Sequence, residues 1–385
     1  MLMSDSLIDR TIGFLLGDVK ETEIAFTEPL GSALYSYARR ENPTVADCER
    51  ALAEIEMTDW CILAPSGMAA INIALSIFND PADRRPWLFP ADAYTGTLQY
   101  ATDVLQNQRG VNVRFADPAG PNSTTSNLIS AIEDEAPALV FIEPVSNPLL
   151  DIIDIPAVAE AARRHGAVVV VDNTFATPYL FHPLDVGADL VVHSVTKYLA
   201  GHNNILAGAI CGNDADIHAR LLMHRNTIGS VLSPDDAGRL KTQLQTFSLR
   251  LAQQNATAMK IAEYLENHPA IKKVRFPGLP SHPDYALAQK MFGQRGYGAM
   301  ITFDLACSEE GSSRFVDDLS PHIPHIGSLG DVTTSFLHIQ ACFGEEYEPS
   351  TIRLSVGVEP AEQIISSLER ALRDDPAERV ATQRS

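Results

Sequence analysis

An α/β fold built on a mostly parallel sheet, with a smaller α+β domain following it, is what this sequence predicts, and three observations carry the expectation. From about residue 60 to 212, short apolar runs alternate with amphipathic stretches, the pattern of strands buried on both faces and of the helices that cover them. The segment Ile155–Arg164, closed by Gly166, reads as a crossover helix, so the sheet should be open and its connections right-handed. The chain has 385 residues, too many for one core at roughly 100–200 residues per domain.

In chain order, strands are expected at Cys61–Ala64, Trp87–Phe89, Val111–Phe115, Ala138–Ile142, Ala167–Val171 and Leu190–Val192. Residues 233–266 lack Pro after Pro234 and Gly after Gly238, and space Leu240, Leu244, Phe247 and Leu251 on one face. That predicts a long helix or helix pair linking two domains. Beyond it, Gly298–Leu305 and Thr351–Val358 read as strands and Ala361–Leu372 as a helix. Weak periodicity in the first thirty or so residues suits an arm that docks on another subunit. The resulting division is an arm over 1–44, a large domain over 45–240 and a small domain over 241–385. Gly293–Gly298 is glycine-rich but precedes a strand instead of joining strand to helix, so it is read as a turn and not as a nucleotide loop.

Charge and composition narrow the function classes. Lys plus Arg (29) against Asp plus Glu (49) leaves a net charge of −20, which repels nucleic acid and anionic membrane surfaces. The apolar runs fall far short of the ~18 residues of a membrane span, and Asp5 and Asp9 stand where a signal peptide is basic. Five cysteines without a CxxC pair or zinc spacing fit a reducing cytoplasm better than a disulfide scaffold. His322 and His325 lack a second ligand cluster, so no metal is expected.

Open α/β sheets bind ligands beyond the carboxyl ends of their strands, and the residues at those ends are polar here. Glu143-Pro-Val-Ser146-Asn147-Pro148, Asp172-Asn173-Thr174 and His193-Ser194-Val-Thr196-Lys197 each follow a strand. A carboxylate at Asp172 and an amine at Lys197 suit a cofactor with a protonatable ring nitrogen and an aldehyde, which describes pyridoxal phosphate. Taken singly, Asp172 serves equally well as a turn cap and Lys197 as a solvated surface lysine. The phosphate needs N–H donors, and Ser66-Gly67-Met68 supplies a strand-to-helix turn that would cradle an anion, or in which Ser66 is only an N-cap. Ser194 and Thr196 would add hydroxyls.

These blocks resemble the Cys/Met-metabolism family of pyridoxal-phosphate enzymes over about Tyr35 to Leu372. The most specific is Ser194-Val-Thr-Lys197-Tyr-Leu-Ala-Gly201-His202, similar to the family's cofactor-lysine signature, preceded by Val171-Asp172-Asn173-Thr174. The resemblance implies that Lys197 carries the cofactor and acts as catalytic base. It implies that Tyr94, in Asp92-Ala-Tyr94-Thr95-Gly96-Thr97, stacks on the ring and assists proton transfer. By the same resemblance Asn147 lies near the phenolic oxygen and substrate carboxylate, and Ser66, Gly67 and Met68 form the phosphate turn. Tyr37 and Arg39, in Tyr37-Ala-Arg39-Arg-Glu-Asn42-Pro43-Thr44, are implied to reach the phosphate of a neighbouring subunit. Arg353 in Ile-Arg-Leu-Ser-Val-Gly is implied to grip the substrate carboxylate; read from alternation alone, it is an Arg on the wet face of an amphipathic strand. Ser328 is implied to sit beside the lysine and substrate carboxylate.

The fold so implied is the aspartate-aminotransferase-like fold type I, usually a homotetramer built as a dimer of dimers. The implied activity is transsulfuration-type lyase or transferase chemistry: γ-elimination or γ-replacement on an amino acid with a leaving group at Cγ. The alternatives are a β-lyase using the same residues and a non-catalytic regulatory homologue. Departures from the family pattern gather near the substrate: Gly327 replaces a Glu of several cystathionine-handling relatives, Asn203-Asn204 follows His202, and Thr95 and Pro144-Val145 are atypical.

Overall fold

The computed structural model describes residues 7–27, 34–117 and 124–373; the rest of the predicted arm, 1–6 and 28–33, lies outside them. A seven-stranded sheet has the order β1-β7-β6-β5-β4-β2-β3. Its strands are β1 (Trp60–Ala64), β2 (Trp87–Pro90), β3 (Val113–Ala116), β4 (Leu139–Ile142), β5 (Val168–Asp172), β6 (Leu190–His193) and β7 (Gly208–Gly212). The six expected strands are all present within two residues at each end. β2, β3, β4, β5 and β6 are mutually parallel.

β7 is the correction. It pairs antiparallel with both β1 and β6, because the 194–207 segment turns straight back beside β6 without a crossover helix. Glycines at both of its ends hide it from strand propensity. They are there for space: a Cβ on Gly208 would lie 2.1 Å from the Ser66 carbonyl oxygen, and one on Gly212 would lie 2.4 Å from the Trp60 ring.

The predicted linker is a helix pair, Pro234–Leu244 and Phe247–Glu266. It leads to a second, antiparallel sheet ordered β10-β11-β9-β8, made of β8 (Ile271–Arg275), β9 (Met300–Leu305), β10 (Ser335–His338) and β11 (Thr351–Ser355). The closing helix runs Ala361–Arg373. Polar bonds tie the segments around the two sheets together, among them Thr302 Oγ1 donating to the Pro148 carbonyl at 2.6 Å and the Ile152 N–H donating to Asp284 at 2.9 Å. One apolar cluster runs from Val45 through Val169 and Val191 to Phe303 and Leu354, spanning both sheets. A second, holding Ile62, Phe89, Phe141 and Val192, fills the other face of the large sheet. Among the described residues, no helix is long and apolar enough to cross a membrane, and all five cysteines are free.

Candidate active site

The strand ends gather their polar residues at one edge, against the small sheet, around a cavity of about 530 Å³. Ser66, Gly67, Met68 and Tyr94 line it, with Asn147 and Asp172. Ser194, Thr196, Lys197 and Arg353 also stand in its walls, whereas Ser328 meets the site only through the Lys197 amine.

Ser66 is an N-cap, and it stands in the cavity wall. Its hydroxyl accepts the Ala69 N–H at 3.0 Å and caps the helix Gly67–Ser76, while the turn faces the cavity. Gly67 is required there, because a Cβ would stand 2.8 Å from that of Ser194. The Ser194 N–H donates to Thr174 Oγ1 at 2.8 Å, and Thr196 exchanges hydrogen bonds with Ala207 at 3.0 and 3.1 Å. These bonds hold the lysine-bearing turn against β5 and the start of β7.

Asp172 likewise caps a turn and faces the cavity. One carboxylate oxygen accepts the Thr174 N–H at 3.0 Å and its hydroxyl at 2.5 Å. Burial pushes this carboxyl upward, and the Thr174 donors and nearby His193 oppose the push. Lys197 is half-buried, with Nζ donating to Ser328 Oγ at 3.0 Å. Burial, reinforced by the Arg353 charge, brings its ammonium down to about 8, so a useful fraction is the neutral, nucleophilic amine near neutral pH. In cofactor-free protein, acylation of Lys197 followed by peptide mass spectrometry should therefore reach half its limiting rate near pH 8. Arg353→Met should move that midpoint upward; a midpoint at about 10, as for a solvated lysine, would contradict the geometry.

Arg353 corrects the alternation-based reading. It is only 3 % exposed, because β11 is covered on both faces. Its Nη1 donates to Asn147 Oδ1 at 2.7 Å, and its guanidinium carbon lies 6.0 Å from the Phe343 ring centroid. Burial lowers it to about 10, which leaves it cationic at neutral pH. Tyr94 is 42 % exposed and reaches the cavity from the β2 end. Its ring lies so close over Gly96 that a Cβ there would meet it at 2.6 Å.

Tyr37 and Arg39 are not brought to this cavity. Tyr37 is exposed, with the Arg39 guanidinium carbon 5.5 Å from its ring centroid, and Arg39 donates to the Asn226 carbonyl. Residues absent from the predicted set also line the cavity. Glu143, whose Oε1 accepts the Tyr94 N–H at 2.8 Å, is one. Leu337, Cys342 and Phe343 form an apolar wall from the small-sheet side. Glu143 was visible as a polar residue after a strand; the apolar wall depends on how the distant small sheet docks, which no local pattern reports.

The donor set fits pyridoxal phosphate: a depressed amine, a half-buried carboxyl held by two donors, and a hydroxyl-rich helix N-terminus closed by a glycine. Comparison with known proteins agrees. A family model described as Cys/Met metabolism PLP-dependent enzyme matches residues 5–373. The cystathionine beta-lyase of Lactococcus lactis subsp. cremoris (strain MG1363) is 35 % identical over 376 residues, covering 94 % of this chain and 95 % of the relative. The cystathionine gamma-synthase of Escherichia coli (strain K12) is 36 % identical over 360 residues, covering 90 % and 89 %. The crystal structure of cystathionine gamma synthase from Xanthomonas oryzae pv. oryzae, in complex with aminoacrylate and cysteine, superposes with a TM-score of 0.84. Its identity is 34 %, over 95 % of this chain and 92 % of that one.

Proposed function

Because the chain belongs to the Cys/Met-metabolism family of pyridoxal-phosphate-dependent enzymes, we propose that it catalyses γ-elimination or γ-replacement on an amino acid bearing a leaving group at Cγ, such as a homoserine ester or methionine. Bound pyridoxal phosphate supplies an aldehyde that takes an amine and a ring that accepts electrons from the substrate's α-carbon. Asp172 would hold the ring nitrogen, the Ser66-Gly67-Met68 turn with Ser194 and Thr196 the phosphate, and Tyr94 a ring face. Asn147 and Arg353, already bonded to each other, would orient the substrate carboxylate, the planar guanidinium fixing direction as well as charge. Lys197 would take the proton from Cα, and a second from Cβ, with Ser328 steering its Nζ.

The observation that carries this reading is the Lys197 amine itself. It is lowered to about 8, bonded to Ser328 and backed by Arg353, and so can both accept and return protons near neutrality, as two successive deprotonations require. Likeness to cystathionine gamma-synthases adds support. The same residues can also eliminate from Cβ after one deprotonation, and the likeness to cystathionine beta-lyases favours that second reading. The two separate on products. Given O-acetylhomoserine, O-succinylhomoserine, methionine and cystathionine, the enzyme should release 2-oxobutyrate or γ-substituted products; pyruvate alone across the panel would assign it to β-elimination.

Tyr37 and Arg39, outside their own chain's cavity, would serve the phosphate of a neighbouring subunit, making the working form a homo-oligomer, in our reading a tetramer. Free cysteines and acidic charge suit a cytoplasmic setting.

A further inference from the structure

We propose that Glu143 is a positioning residue of this site, a protonated carboxylic acid that pins Tyr94 through its backbone and leaves Asp172 as the anion of an adjacent pair. The inference rests on the reading that Asp172 and Tyr94 face the cofactor. In the parallel β4–β5 pair Ile142 is in register with Val171, so Glu143, just past β4, and Asp172, the last residue of β5, follow on neighbouring strands whose backbones lie about 4.8 Å apart. Both line the cavity, and Glu143 is 7 % exposed.

A second carboxyl beside the first disfavours ionisation of both, so such a pair favours holding one proton. The hydrogen bonds decide where it resides. Asp172 has two donors from Thr174 and the favourable influence of His193. Glu143 has the single Tyr94 N–H at 2.8 Å. Burial, then Asp172, then Asp92 at the end of β2 drive the Glu143 carboxyl well above its ordinary range. The cations of the same cavity, Lys197 and Arg353, are directed to Ser328 and Asn147. The bond from Glu143 matters because Tyr94 heads the short helix Thr95–Gln99 without a side-chain cap and is 42 % exposed.

A neutral amide reproduces a protonated acid: Gln offers the Tyr94 N–H an acceptor oxygen and presents N–H in place of O–H. Leu offers neither. Cofactor-free wild type, Glu143→Gln and Glu143→Leu should be titrated with pyridoxal phosphate, following absorbance and Tyr94-sensitive changes in the bound cofactor's band. The Leu variant should bind at least about tenfold more weakly, because the half-buried Tyr94 N–H loses the acceptor that fixes the residue's backbone, with a displaced absorbance maximum, and Gln should restore both. Equal damage from Gln and Leu would overturn the proposal, because Glu143 would then act as a carboxylate. So would wild-type behaviour of Leu. If Leu fails to fold, Gln alone decides: an affinity and band matching wild type support the neutral acid, and a tenfold loss refutes it. None of these readouts needs turnover, so a wrong substrate class would leave them intact.

Discussion

Replacing Lys197 with Ala should lower kcat by about 10⁴-fold or more, the upper range for a positioned acid–base group, and should remove the covalent link to the cofactor. Borohydride treatment of the unaltered enzyme should leave the cofactor's mass on the peptide containing Lys197, and the variant should carry none. The effect should be chemical and not structural. Lys197 is half-buried and its ammonium makes one side-chain bond, to Ser328, so the variant should keep its fold and melt within a few degrees of the parent. Turnover that survives the substitution would mean that another amine does the work, and the whole site assignment would fall.

Arg353→Leu should cost about 10²-fold in kcat/KM, in line with the worth of a charged hydrogen bond to a carboxylate, with most of the loss in KM. Leu fits the buried, largely apolar surroundings, so stability should change little beyond the orphaned Asn147 oxygen. Arg353→Lys should rescue only partly, since a point charge lacks the planar fork. A variant that loses kcat with KM unchanged would place Arg353 in the proton-transfer step and not in substrate capture.

Much of this was legible in the sequence because strands and strand ends are local. The apolar runs marked the large sheet, and the polar residues after β4, β5 and β6 marked its working edge. β7 escaped because its glycines serve close packing instead of strand propensity. β8, with half-exposed IKKVR, and the four-residue β10 lack the apolar runs that announce a strand. The burial of Arg353 was invisible to alternation because β11 is covered on both faces by contacts distant in sequence. The pairing of Glu143 with Asp172 needed the β4–β5 register, which only the assembled sheet supplies.

The apolar cluster that spans both sheets has a mechanical consequence. A cavity at a seam suggests jaws that swing, yet rotating one sheet away from the other would pull Val169 and Val191 from the same continuous interior that holds Phe303 and Leu354, wetting surface at about 25 cal/mol per Å². The seam is therefore a weld and not a hinge. Access for substrate is then left to the side chains of the cavity lining, of which Leu206 and Tyr94 are 65 % and 42 % exposed.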